Sequence, residues 1–361
     1  MFALKPDYEA SKQRMDAFWE REILDRPLVQ FKLYKPFDEW VDLPSSNHST
    51  WEERWLDVDY QVAWAVADLT NQLFLGDTMP VVWPNLGPDL FSALYGCPLL
   101  FIDSLTSWSK PILKDWEQAA VIHLDWNHPY LAKINQITDA LLEVGRDRFI
   151  TGITDLHGGG DALSALRGPV NLAKDLFQLP EQVKNMLARL YADYFALYEV
   201  FYQRLKSVDQ PITTWTPLVC DGRYYLPSND FSIMVSNQMY REFFLEGTME
   251  ECTFLDHSLY HLDGPGALHH LDCLLEITEL DAIQFVPTDT KAEFSRWAPV
   301  YRKIQDGGKS LQVTCLVDEV NLVIDSLRPQ GVYLVVRDVP SQVVGEMIIE
   351  KVERWPMKGY R

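Results

Sequence analysis

Two places in this chain set an imidazole and a carboxylate one residue apart: His261-Leu262-Asp263 and Asp155-Leu156-His157. In extended backbone successive side chains alternate, so residues two apart point to the same side. Each pair is thereby aimed as a unit, and three readings of such a unit stay open. His nitrogen and Asp oxygen are ordinary ligands, so Asp155, His157, His261 and Asp263 together would suit one divalent metal such as zinc. Without a metal, His261 is a general acid or base whose tautomer Asp263 fixes, while Asp155 and His157 bind substrate. The third reading is a turn, in which Asp263 bonds the backbone and Gly264 and Gly266 supply positive φ.

Other residues suit substrate binding. Arg223, Tyr224 and Tyr225 follow Cys220-Asp221-Gly222 on a predicted loop; a guanidinium fork and a phenol would clamp a carboxylate, or Arg223 pairs with a surface acid. Asp230 either caps a helix ahead of Phe231-Ser232 or touches substrate. Arg337 closes the last apolar run, where it suits a carboxylate or phosphate, and Trp83 and Asn85 offer an apolar plate and an amide anchor. The run Gly158-Gly159-Gly160 either turns backbone N–H groups toward an anionic oxygen or forms a mobile loop. His269 and His270 are expected on the solvent face of a helix, and His257 in a structural role.

These residues sit where strands should end. Val81-Val82-Trp83, Phe149 to Ile153, Ser258-Leu259-Tyr260 and Ala282 to Val286 are short apolar runs. Each gives way to polar or glycine-rich residues and then to a helix, the last through Pro287-Thr288-Asp289. Repetition of strand, loop and helix predicts parallel β/α units. With Leu28–Leu33, Ile212–Trp215, Leu311–Leu316 and Val332–Val336 the count reaches about eight, the number that closes a (β/α)8 TIM barrel with its chemistry at the C-terminal ends of the strands. An amphipathic helix is expected over 8–24, and a Trp-, Asp- and Pro-rich insertion over 36–80. A long outer helix should run from Leu179 to Leu205. No internal repeat appears, so we expect one domain over 1–361, residues 1–80 forming an N-terminal helical and loop extension with the first strand.

Composition narrows the partners. A net charge of -20 over 361 residues, with no basic run, repels polyanions and argues against nucleic acid. There is no secretion signal and no apolar run of membrane-spanning length, so a cytoplasmic protein is expected. The five cysteines are scattered without a C-x-x-C pair, which indicates buried thiols rather than a disulfide framework or a cysteine zinc knuckle.

The order of Trp83-Pro84-Asn85-Leu86-Gly87-Pro88, Asp230-Phe231-Ser232, Gln238 to Phe244, His261-Leu262-Asp263-Gly264 and Gln284-Phe285-Val286-Pro287 resembles the uroporphyrinogen decarboxylase superfamily, from about Pro80 to the end. That superfamily also holds the zinc-dependent methylcobamide:thiol methyltransferases. The resemblance implies a barrel enzyme acting on a small molecule, with Gln284 among the substrate-binding residues and no nucleotide cofactor indicated. For reaction it implies metal-assisted methyl transfer with a partner corrinoid protein; the alternative is cofactor-free decarboxylation or acid/base chemistry on a small carboxylated substrate. A homodimer is compatible with either.

The chain departs from both patterns. The decarboxylases have an arginine-rich loop, an Asp and a His where this chain has Lys32-Leu33-Tyr34-Lys35, Asn85 and Arg337-Asp338. The methyltransferases carry a His-x-Cys and a later Cys where this chain has His261-Leu262-Asp263 and Val335 to Asp338; Cys315 lies one strand earlier.

Overall fold

β-Branched and aromatic runs become strands here because both of their faces are covered, the pattern of parallel sheets with helices outside. The computed structural model describes residues 2–287 and 294–357, so the expected turn at Thr288-Asp289 lies outside the described residues. Among the described residues eight short strands pair in parallel: β1 (Leu28–Phe31), β2 (Val81–Val82), β3 (Ile150–Thr151), β4 (Tyr224–Tyr225), β5 (His257–Asp263), β6 (Ala282–Val286), β7 (Ser310–Leu316) and β8 (Val332–Arg337). Six of them form one curled half-barrel sheet in the order β1-β8-β7-β6-β5-β4, and β2 pairs with β3. Register fixes which side chains share a face: His261 opposes Gln284, and Gln284 opposes Gln312. Along β8 the buried Leu334 and Val336 alternate with the half-buried Val335 and the exposed Arg337.

Three expectations need correction. Ile212–Trp215 is not a strand; only Ile212 makes a bridge, to Cys220, while the Thr213 carbonyl accepts from Ile153 N–H at 2.8 Å. Its place in the large sheet is taken by Tyr224–Tyr225, expected as loop, because both tyrosines are fully buried and pair with His257 and Ser258. The opening helix α1 (Tyr8–Trp19) stops short of residue 24, since Arg21 adopts left-handed backbone with φ 56°.

Residues 36–80 hold the helices Trp51–Leu56 and Val58–Asn71, each with a side-chain cap, from Thr50 and Asp57. Two helices matter for the site. Helix α2 (Gly159–Arg167) follows β3, and α3 (Pro180–Lys206) packs against it, burying Met186, Leu187, Leu190, Tyr194, Leu197 and Phe201 as its periodicity predicts. No helix among the described residues is long and apolar enough to cross a membrane.

Candidate functional site

The segment from Thr154 to Asp161 connects β3 to α2 and carries the ionisable side chains of Asp155, His157 and Asp161. Its glycines are packing positions. A Cβ on Gly158 would lie 2.9 Å from the Tyr194 ring, and one on Gly160 would lie 2.6 Å from Asn229 Oδ1, so only glycine lets the backbone approach this closely. The neighbouring strand fastens the segment as well: Tyr225 Oη donates to the Thr154 carbonyl at 2.9 Å and accepts from Leu156 N–H at 2.7 Å. This is an anchored connection rather than a mobile loop.

Held this way, His157 is flanked on both ring edges. Nε2 lies 3.3 Å from Asp155 Oδ1, and Nδ1 lies 3.4 Å from Asp161 Oδ2, one helical turn further on. Asp161 in turn accepts from Phe231 N–H at 2.9 Å and from Ser228 Oγ at 3.3 Å, tying α2 to the stretch after β4. Burial opposes charge on His157, yet the carboxylates of Asp155 and Asp161 outweigh it and hold its pKa well above the usual 6.5. Burial likewise works against ionised Asp161, but the His157 contact and the backbone donors keep its carboxyl below the ordinary value.

Asp230 completes the group. Burial, reinforced by the charge of Asp161 and offset by His157 and His261, pushes its carboxyl up to about 6. One donor atom from each of His157, Asp161 and Asp230 lies within 4.8 Å of the others, a spacing that one cation could bridge. Asp230 Oδ1 is buried without a hydrogen-bond partner, and Asp155 Oδ1 has only its ion-pair contact with His157. Behind the group stands Glu251, buried, its carboxyl raised well above the usual 4.5 by desolvation and by Asp161.

His261 and Asp263 lie at the C-terminal end of β5, which runs on through Asp263 to Gly264 with φ 76°. Of the two turn glycines, only Gly264 has positive φ. His261 shares a bridge with Ser228, and both His261 and Asp263 act electrostatically on Asp230, so the pair belongs to the same end of the sheet. They are not in the group of donors that lie within 4.8 Å of one another among the described residues, His157, Asp161 and Asp230, which shares His157 with the set expected from sequence, His261, Asp263, His157 and Asp155. The edge of Trp215 meets the His261 ring at 5.2 Å and 89°, and His261 Nδ1 lies 2.6 Å from Gln284 Oε1. Gln284 therefore spends its carbonyl on His261.

The remaining candidates divide between the two ends of the strands. Trp83 stands half-buried after β2, beside Gly152, and Arg337 is exposed at the end of β8. Asn85 uses its Oδ1 on Gly87 N–H at 2.7 Å, a local turn. Arg223 and Tyr224 are at the opposite end, where β4 begins: Arg223 pairs with Glu199 at 3.1 Å and lies over the Tyr202 and Phe254 rings, and the Tyr224 ring packs 5.3 Å from Trp19. Neither reaches the carboxylates near His157. His257 stacks on Trp19 at 4.7 Å, as a structural residue should. His269 is exposed as expected, but His270 is fully buried and donates to the Ser232 carbonyl at 2.9 Å, correcting its expected solvent placement. A cavity of about 280 Å³ lined by Arg21, Lys309 and Gln330 adjoins the N-terminal ends of β7 and β8, away from this chemistry. All five cysteines are free and buried, with burial pushing every thiol up, so none is poised as a thiolate.

Asp161 and Ser228 were missed in the sequence. Asp161 carried a readable signal, since it lies four residues from His157 across a glycine run that opens a helix.

No family model matches the chain, and no curated protein matches it by sequence. Among solved structures it is similar to a methyltransferase from Methanosarcina mazei, at a TM-score of 0.62 and 12% identity, covering 95% of this chain and 98% of that one. At that identity the likeness is one of fold.

Proposed function

We propose that this chain is a methyltransferase of the uroporphyrinogen decarboxylase superfamily, a closed (β/α)8 barrel acting on a small molecule in the cytoplasm. One observation carries the reading: His157, Asp161 and Asp230, from two different β/α connections, bring one nitrogen and two oxygen donors within 4.8 Å of each other. The full-length likeness in fold to a methyltransferase supports the choice of reaction.

The donors fit a divalent cation, zinc among them, because Asp230 Oδ1 is buried with nothing to bond and a buried carboxylate oxygen in that state calls for a partner. This set is harder than one built on thiolates. When bound there, the ion would supply Lewis acidity to the substrate atom that gives up or accepts the methyl group. The chain's own residues do the rest. Asp155 orients His157, Tyr225 holds the connection in place, and His261 offers a ring nitrogen to a substrate proton. Arg337, exposed at the end of β8, anchors an acidic group on the substrate, and Trp83 covers an apolar portion. A corrinoid protein would be the methyl-carrying partner.

A second reading, cofactor-free acid/base or decarboxylation chemistry on a carboxylated substrate, is favoured by a carboxyl near 6 at Asp230, matched to proton transfer near neutral pH. One experiment separates the two: zinc-loaded protein is given methylcobalamin and a panel of small thiol and hydroxyl acceptors, before and after chelation. Protein-dependent methyl transfer that chelation abolishes supports the proposal. No transfer, with chelator-resistant carbon dioxide release from small acids, supports the second reading instead.

A further inference from the structure

We infer that Gln284 and Gln312 are positioning residues that hold His261 in its Nδ1–H tautomer, leaving Nε2 as the nitrogen with a lone pair. The inference rests on the proposal that His261 works at the site, but its evidence is separate.

His261, Gln284 and Gln312 are successive register partners on β5, β6 and β7, so their side chains form a row along one face of the sheet. Gln284 Nε2 donates to Gln312 Oε1 at 2.9 Å. That bond commits the Gln284 amide: with its NH2 turned to Gln312, its oxygen must face His261, and Oε1 lies 2.6 Å from Nδ1. An amide oxygen only accepts, so the hydrogen in this contact belongs to Nδ1. In the neutral ring Nε2 is then bare. Flipping the Gln284 amide would set its oxygen against Gln312 Oε1, two acceptors facing each other. Both amides are buried, at 5% and 9% exposure, so water cannot repair such a mismatch. Trp215, edge-on to the imidazole, restricts the other escape, rotation of the ring itself.

The choice of a neutral amide has a consequence. His157 stands between two carboxylates, whereas His261 is oriented by an uncharged oxygen that fixes direction without adding a negative charge. Nε2 of His261 can then take a substrate proton, a use that requires this tautomer.

Nitrogen-15 correlation spectra of the full chain labelled at histidine test this, with His261 assigned by its absence in His261→Asn. Expected is the Nδ1–H pattern in the unmodified protein. Gln312→Leu, which touches no atom of His261, should shift the pattern toward Nε2–H, and Gln312→Glu, which restores an acceptor for Gln284 Nε2, should return it. An Nε2–H pattern in the unmodified protein overturns the inference whether or not the variants fold, and so does a folded Gln312→Leu protein with the pattern unchanged. Should methyl transfer prove absent, the tautomer measurement still stands or fails by itself. Where methyl transfer is found, Gln312→Leu should lower kcat by about 10-fold, the scale of losing an orienting partner, and Gln312→Glu should recover it.

Discussion

His157 Nδ1 stands 3.4 Å from Asp161 Oδ2, and this contact joins the connection after β3 to the first turn of α2. The helix N-terminus favours the carboxylate, and the carboxylate favours the imidazolium, so each charge is tolerated in a largely buried place because of the other. Everything around the pair serves to keep that geometry.

Tyr225 is the most exposed to a single-atom test. Tyr225→Phe removes the hydroxyl that serves the Thr154 carbonyl and Leu156 N–H, leaving two buried backbone groups unpaired. The expected loss is about 1–3 kcal/mol in denaturant unfolding, with faster amide exchange at Leu156. An unchanged exchange rate there would contradict the anchoring role.

Gly160→Ala places a methyl group 2.6 Å from Asn229 Oδ1 at the position next to Asp161. Overpacking of this kind costs about 1–3 kcal/mol, and here it should also weaken cation binding by displacing Asp161. Calorimetric titration with zinc measures the second effect; full affinity in the variant would show that the site tolerates looser backbone.

Glu251 gives a pH signature. Its folded pKa lies above the 4.5 of a free side chain, so the unfolded chain gives up its proton first, and stability falls as pH rises from about 4.5 through the folded value. Glu251→Gln removes that slope. The variant should melt higher than the parent at about pH 8 and alike at about pH 4, where both forms carry a neutral group. A gain independent of pH would show that Glu251 is not held protonated.

Arg223→Ala should leave activity unchanged. Its guanidinium pairs with Glu199 where β4 begins, and a part-exposed ion pair contributes about 0–1 kcal/mol. A rise in KM of about 10-fold or more would return Arg223 to the substrate-binding role its sequence context suggested.

Much of this arrangement could be read before any coordinates. Apolar runs ending at Ile153 and Tyr260 announced parallel β/α units, and the two-residue spacing of Asp155 and His157 announced a shared aim. What escaped depends on contacts between distant segments. Tyr224 and Tyr225 follow a turn signal at Asp221-Gly222 and read as loop, yet burial against Trp19, Tyr194 and Tyr198 draws them into the sheet. Ile212–Trp215 has the β-branched pattern of a strand, but the ladder passes to its neighbour. Asp230 reads as a helix cap or a substrate contact, and only the approach of Asp161 makes it a third donor. The resemblance implies a substrate-binding Gln284, and its contact with His261 depends on the pairing of β5 with β6, which the sequence does not show.

Metal content is the most direct test of the central claim. Protein purified without chelator and dialysed against zinc should hold about one divalent ion per chain by elemental analysis. His157→Ala and Asp161→Asn should lose it, and His261→Ala should keep it. An ion retained by His157→Ala, or lost only in His261→Ala, would contradict the assignment of His157, Asp161 and Asp230 as the donors.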